Sequence, residues 1–96
     1  MLEPTELGKL YVNELNDLGY FGKNYGRNAN DFLRDCGFQL KHEPSGDWVP
    51  QVDLLNKGFV TNRHPWNKNG KSGYNCKWNK AWFSEVLSVK LKKCNN

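Results

Sequence analysis

At Gly37 the spacing of apolar residues changes from a helical to a strand period. Upstream, Leu7, Leu10, Tyr11, Leu15 and Leu18 fall at i, i+3, i+4, i+8 and i+11, and Ala29, Phe32, Leu33 and Cys36 at i, i+3, i+4 and i+7. Each set covers one face of a helix. Downstream, Phe38-Gln39-Leu40-Lys41 and Trp48-Val49-Pro50-Gln51 alternate on either side of Glu43-Pro44-Ser45-Gly46-Asp47, which carries turn chemistry. The spacing therefore predicts a helix over 5–18, opened by Pro4-Thr5 and stopped by Gly19, and a second over 27–36, closed by Gly37 in the left-handed cap position. A β-hairpin over 38–51 follows, with Pro50 restricting its second strand to an edge or an end. Tyr20 to Gly26 holds two glycines and no period, and reads as the turn between the helices.

Val52 to Gly58 has room for one or two helical turns before Phe59-Val60. Thr61 to Gly73 holds one Pro, two Gly and three Asn in thirteen residues, which predicts a long basic loop over 61–73. Tyr74, Cys76 and Trp78 alternate with polar residues as a strand over 74–78. Asn79 then caps a helix over 80–92 whose stripe is Trp82, Phe83, Val86, Leu87 and Leu91, with Lys90, Lys92 and Lys93 at the end that favours cations. At 96 residues the chain is expected to be a single domain, 1–96, of α+β class. The two apolar helix faces at 29–36 and 82–87 are expected to pack over one small sheet made by 38–41, 48–50 and 74–78, with Trp48, Trp78, Trp82 and Phe83 supplying much of the core.

Hydrophobic residues make up 38% of the chain, five Phe, four Trp and four Tyr included, which excludes disorder by composition. Apolar runs reach only two or three residues, against the roughly 20 needed to span a bilayer. The opening MLEPTEL has no signal-peptide pattern, so the expected compartment is the cytoplasm, with no membrane contact. Cys36, Cys76 and Cys94 are odd in number and widely spaced, and are expected as free thiols.

Charge is divided along the chain. Residues 1–53 hold nine acids against five basic residues (net −4), whereas 54–96 hold nine basic residues and one acid, Glu85 (net +8). From Leu54 to Ser84 there is no acid, and Lys57, Arg63, Lys68, Lys71, Lys77 and Lys80 are interleaved with aromatic residues. Such a segment favours an anionic partner. The candidate nucleic-acid residues are Arg27, Asn28, Asn30 and Arg34 on the second helix, where Arg and Asn suit guanine and adenine edges, and Arg63, His64, Lys68, Lys71 and Lys77 in the basic segment. The net −4 half, with Asp31 and Asp35 on or beside the helix face, weighs against base reading there. The acidic surface of the first helix, Glu6, Glu14 and Asp17 with Glu3, is the candidate protein-binding face.

Chemistry at a catalytic or metal centre is not expected. No pair among Cys36, His42, His64, Cys76 and Cys94 has zinc-ligand spacing. Arg63-His64-Pro65-Trp66-Asn67 places one His beside one Asn without a carboxylate nearby, and Gly70-Lys71-Ser72 lacks the upstream glycine of a phosphate cradle. The expectation is a non-enzymatic chain without cofactor or metal.

Helix, turn, helix and hairpin in that order make a winged-helix arrangement, here with a closing strand and a C-terminal helix. Pro4-Thr5-Glu6-Leu7-Gly8-Lys9, Arg27-Asn28-Ala29-Asn30-Asp31-Phe32-Leu33, Cys36-Gly37-Phe38-Gln39, Gly46-Asp47-Trp48-Val49-Pro50 and Cys76-Lys77-Trp78-Asn79, in that order, resemble the C-terminal KilAC-type domain of phage antirepressors. The resemblance spans most of the chain. It departs at Tyr20 to Gly26, which is longer than a tight turn, and after Pro50, where that family usually has a Thr-Glu-x-Gly-Lys-like run. It implies a phage or prophage origin, a winged-helix fold and a DNA-binding role in transcription regulation, with double-stranded DNA as partner. The alternative is a protein-binding inhibitor of a host nucleic-acid-handling or defence complex, of anti-CRISPR kind, acting on a protein partner or through self-association.

Overall fold

The computed structural model describes residues 1–94, and for Arg63, Lys68 and Cys94 the backbone alone. Among the described residues the chain forms five helices and two antiparallel two-stranded sheets, a small α+β domain. No helix among them is long and apolar enough to cross a membrane.

The first apolar face is split between two helices, α1 (Pro4–Leu10) and α2 (Val12–Asp17), where a single helix over 5–18 was expected. Tyr11 breaks the helix at φ −112°, ψ 33°. In a straight helix Leu7 and Leu15, eight residues apart, would diverge by about 80°. The break lets both become fully buried, and turns Leu10, one of the five stripe residues, out to 51% exposure. The Tyr11 ring packs 5.6 Å from that of Phe83.

Helix α3 (Tyr25–Asp35) starts two residues before the expected 27, because Asn24 caps it by accepting the Arg27 N–H at 3.0 Å. It closes at Gly37, φ +82°, with the Gly37 N–H on Arg34 O and the Phe38 N–H on Leu33 O, both at 2.9 Å. Strands β1 (Gln39–His42) and β2 (Asp47–Pro50) pair in register from Gln39 opposite Pro50 to His42 opposite Asp47. Helix α4 (Val52–Asn56) is a single short piece.

The segment expected as a long basic loop is strand. β3 (Val60–Lys68) pairs with β4 (Lys71–Trp78), which starts three residues before the expected 74. Asn69 and Gly70 form the two-residue connection with φ of +54° and +77°, both positive as a type I′ hairpin turn requires. Pro65 is tolerated because β3 is an edge strand. Helix α5 (Lys80–Cys94) begins where Asn79 Oδ1 accepts the Trp82 N–H at 2.9 Å.

The expected single sheet is also corrected. The two hairpins are joined by side chains rather than by a ladder: Asp47 Oδ1 accepts the Tyr74 N–H at 3.3 Å, and Cys76 Sγ donates to Trp48 O at 3.6 Å. Leu2 completes β4 from the chain start, exchanging two backbone hydrogen bonds of 2.8 Å with Trp78. The core lies between these layers, where Phe32 of α3 meets Phe83 of α5 edge-on at 5.7 Å and Trp82 stacks on Trp78 at 5.5 Å. Trp78 and Phe83 are fully buried; Trp48 and Trp82 are half-buried beside them.

Candidate nucleic-acid interface

The outer face of α3 carries its charges as a ladder. Arg27 Nε lies 3.9 Å from Asp31, Arg34 lies 3.4 Å from the same carboxylate, and Arg34 also holds Asp35 at 3.1 Å. Asp35 further accepts the Tyr20 hydroxyl at 2.5 Å. That bond holds the Asp35 carboxyl below the usual range, while burial, then Asp35, pushes the Tyr20 hydroxyl up. Each arginine thus has a carboxylate at hand, and such exposed pairs contribute only about 0–1 kcal/mol each. Their effect here is to cancel charge on the face that a groove-reading helix would present to phosphate.

The two asparagines of α3 are engaged inside the molecule. Asn28, expected as a base reader, is buried at 8% exposure and exchanges two hydrogen bonds with the backbone of Gly22, accepting at 3.2 Å and donating at 2.9 Å. It fastens the 20–24 turn to the helix. Asn30 is half-buried and accepts Gln39 Nε2 at 3.1 Å on both its main-chain oxygen and Oδ1.

A groove of about 430 Å³ runs along this face. It brings together Arg27, Asn30 and Arg34, expected as site residues, with Lys41 of β1, Trp48 of β2 and Asn75 of β4, which sequence reasoning missed. Lys41 Nζ sits 5.7 Å from the Trp48 ring centroid. No local spacing links α3 to positions 41, 48 and 75; only the packing of the hairpins against the helix does.

The remaining basic candidates, Arg63, His64, Lys68, Lys71 and Lys77, lie on the β3–β4 hairpin, apart from the groove lining. The register sets Thr61 opposite Lys77, His64 opposite Asn75, Trp66 opposite Gly73 and Lys68 opposite Lys71. Lys71 is exposed and Lys77 half-buried; the side chains of Arg63 and Lys68 lie outside the described residues. His64 Nε2 and Thr61 Oγ1 are hydrogen-bonded at 2.7 Å. The Trp66 indole lies against Gly73, where a Cβ would come within 3.0 Å of it, so the glycine accommodates the ring across the strand.

The acidic residues divide at the Tyr11 break. Glu6 closes the α1 capping box by accepting the Glu3 N–H at 3.1 Å, while Glu14, half-buried, and Asp17, exposed, belong to α2. Burial pushes the Cys76 thiol up to about 11 and the Cys36 thiol up as well, so both stay protonated at neutral pH and are poor nucleophiles. Cys94, the third expected free thiol, has its side chain outside the described residues. Among the described residues no three His, Cys, Asp or Glu side chains cluster as metal ligands.

The sequence matches no family model, and no curated protein or solved structure matches it significantly.

Proposed function

We propose that this protein is a small, non-enzymatic DNA-binding module of winged-helix type, acting in transcription regulation of phage kind, in which the β3–β4 hairpin rather than α3 makes the principal contact. The observation that carries this reading is the hairpin itself. Within the acid-free segment between Leu54 and Ser84, residues 60–78 form a two-stranded ribbon where a loop was expected over 61–73. A ribbon of two strands fits a DNA major groove or lies along a phosphate backbone. Its register sets Lys68 opposite Lys71 at the tip. Like charges directly across an antiparallel pair are destabilising, and a phosphate between them would remove the repulsion. The charge-cancelled face of α3 supports assigning the lesser role to Arg27 and Arg34.

The test is binding of a labelled random duplex followed by fluorescence anisotropy. Replacing Lys68 and Lys71 by Ala should weaken binding to all sequences alike, whereas Arg27→Ala should have a smaller effect. Duplex binding that is indifferent to both lysines would contradict the proposal.

A protein-binding inhibitor remains the second reading, favoured by one observation. Leu40 and Val49, paired across β1 and β2, and the neighbouring Val52 are all largely exposed. Contiguous exposed apolar residues of this kind mark protein contacts more often than isolated ones do. A chain that stays monomeric and ignores DNA, yet loses a protein partner on Leu40→Glu, would favour it over the first.

A further inference from the structure

We propose that the groove between α3 and the two hairpins holds one unpaired nucleotide of a single strand. This rests on the nucleic-acid reading above and extends it to a second form of substrate. The groove, at about 430 Å³, falls within the roughly 300–1,000 Å³ usual for small-ligand sites. Three kinds of group that a nucleotide requires line it together.

The first is a stacking surface. Trp48 is half-buried, with its ring approached by the Lys41 ammonium at 5.7 Å. Lys41 is exposed and carried on a flexible stem, so a base can take its place on the indole while the ammonium moves to a phosphate. The second is a pair of amides. Asn75 is half-buried on β4 and lines the groove. Asn30, also in the lining, spends Oδ1 on Gln39, which leaves its NH2 as a donor. The third is charge. Arg27 and Arg34 are taken up by Asp31 and Asp35, and Lys41 supplies the cation for a phosphate.

Duplex DNA is excluded by the same geometry, because a base paired and stacked on its neighbours cannot lay its face on a half-buried indole. The hairpin and the groove therefore take different forms of the nucleic acid. Base–aromatic stacking tolerates every base, so the groove is not expected to select sequence.

The experiment compares two probes on the intact chain by fluorescence anisotropy: a twelve-nucleotide deoxythymidine strand and a random duplex. Trp48→Leu keeps an apolar side chain against the core and removes the stacking face. It should weaken single-strand binding about tenfold and leave duplex binding unchanged, with Trp48→Phe recovering most of the loss. Asn75→Ala, which adds no charge to the hairpin, should weaken the single strand more than the duplex and serves where the Leu variant melts early. Lys71→Ala should do the reverse, weakening the duplex more. If the duplex binds and the single strand does not, or if Trp48→Leu and Asn75→Ala leave the single strand unaffected, the groove assignment is overturned while the hairpin reading stands. If neither probe binds, the nucleic-acid reading fails and the groove assignment falls with it.

Discussion

Gly8 lies where α1 crosses α3, and a Cβ there would overlap the Tyr25 carbonyl; on the facing helix, a Cβ on Gly26 would come within 2.7 Å of Thr5 Oγ1. The obstacle at Gly8 is backbone, which cannot rotate aside. Gly8→Ala should therefore cost about 1–3 kcal/mol or more, and lower the melting temperature by roughly 4–8 °C for each kcal/mol, in a circular-dichroism melt. An unchanged melt would show that the helices have room to separate. Asn28 makes a second case at this scale. Asn28→Ala should destabilise by about 1–3 kcal/mol, since it removes both hydrogen bonds to the Gly22 backbone, and should leave preference among DNA sequences untouched. A shift in that preference without loss of stability would restore Asn28 as a base reader. Neither role was legible in the sequence. A glycine inside a helical pattern looks the same whether it is tolerated or required, and an asparagine on α3 declares whether it points outward or inward only when Gly22 is placed beside it.

The elements were legible where local chemistry decides them. The Gly37 cap, the Pro44-to-Gly46 turn and the Asn79 cap are each enforced by neighbouring residues, and α3, β1–β2 and α5 form there. The hairpin at 60–78 was obscured by its own composition, because polar residues and Pro65 mask the period of two. Asn69-Gly70, the dipeptide that matches a two-residue I′ turn, was the available signal. The break at Tyr11 had no such signal, since it answers to the burial of Leu7 and Leu15 against distant partners. The turn can be tested alone. Gly70→Val forces a β-branched residue into a left-handed conformation at about 1–2 kcal/mol. Amide exchange should speed up in the tip, at 66–68 and 71–73, while protection of α3 and α5 is unchanged. Uniform exchange across the hairpin before and after substitution would mean that the tip does not depend on this turn.

Across the whole molecule, charge and shape act together. The chain measures 44 × 31 × 22 Å, and its −4 and +8 segments correspond largely to the helices α1–α3 with the first hairpin, and to β3–β4 with α5. An uneven distribution of this kind orients the molecule toward phosphate at long range and loses that influence as salt rises. The charge asymmetry and the helical spacing of Arg27, Asp31 and Arg34 could be read from the sequence; the groove shared by Asn30, Lys41, Trp48 and Asn75 could not, because it exists only after packing. The most direct measurement is the slope of log affinity against log salt for a random duplex. Under the hairpin reading, one phosphate neutralised by each of Arg63, Lys68, Lys71 and Lys77 would give a slope of about −3.6, and each Lys→Ala change in the hairpin should flatten it by roughly one unit. A slope that flattens with Arg27→Ala and Arg34→Ala but not with Lys71→Ala would contradict the account.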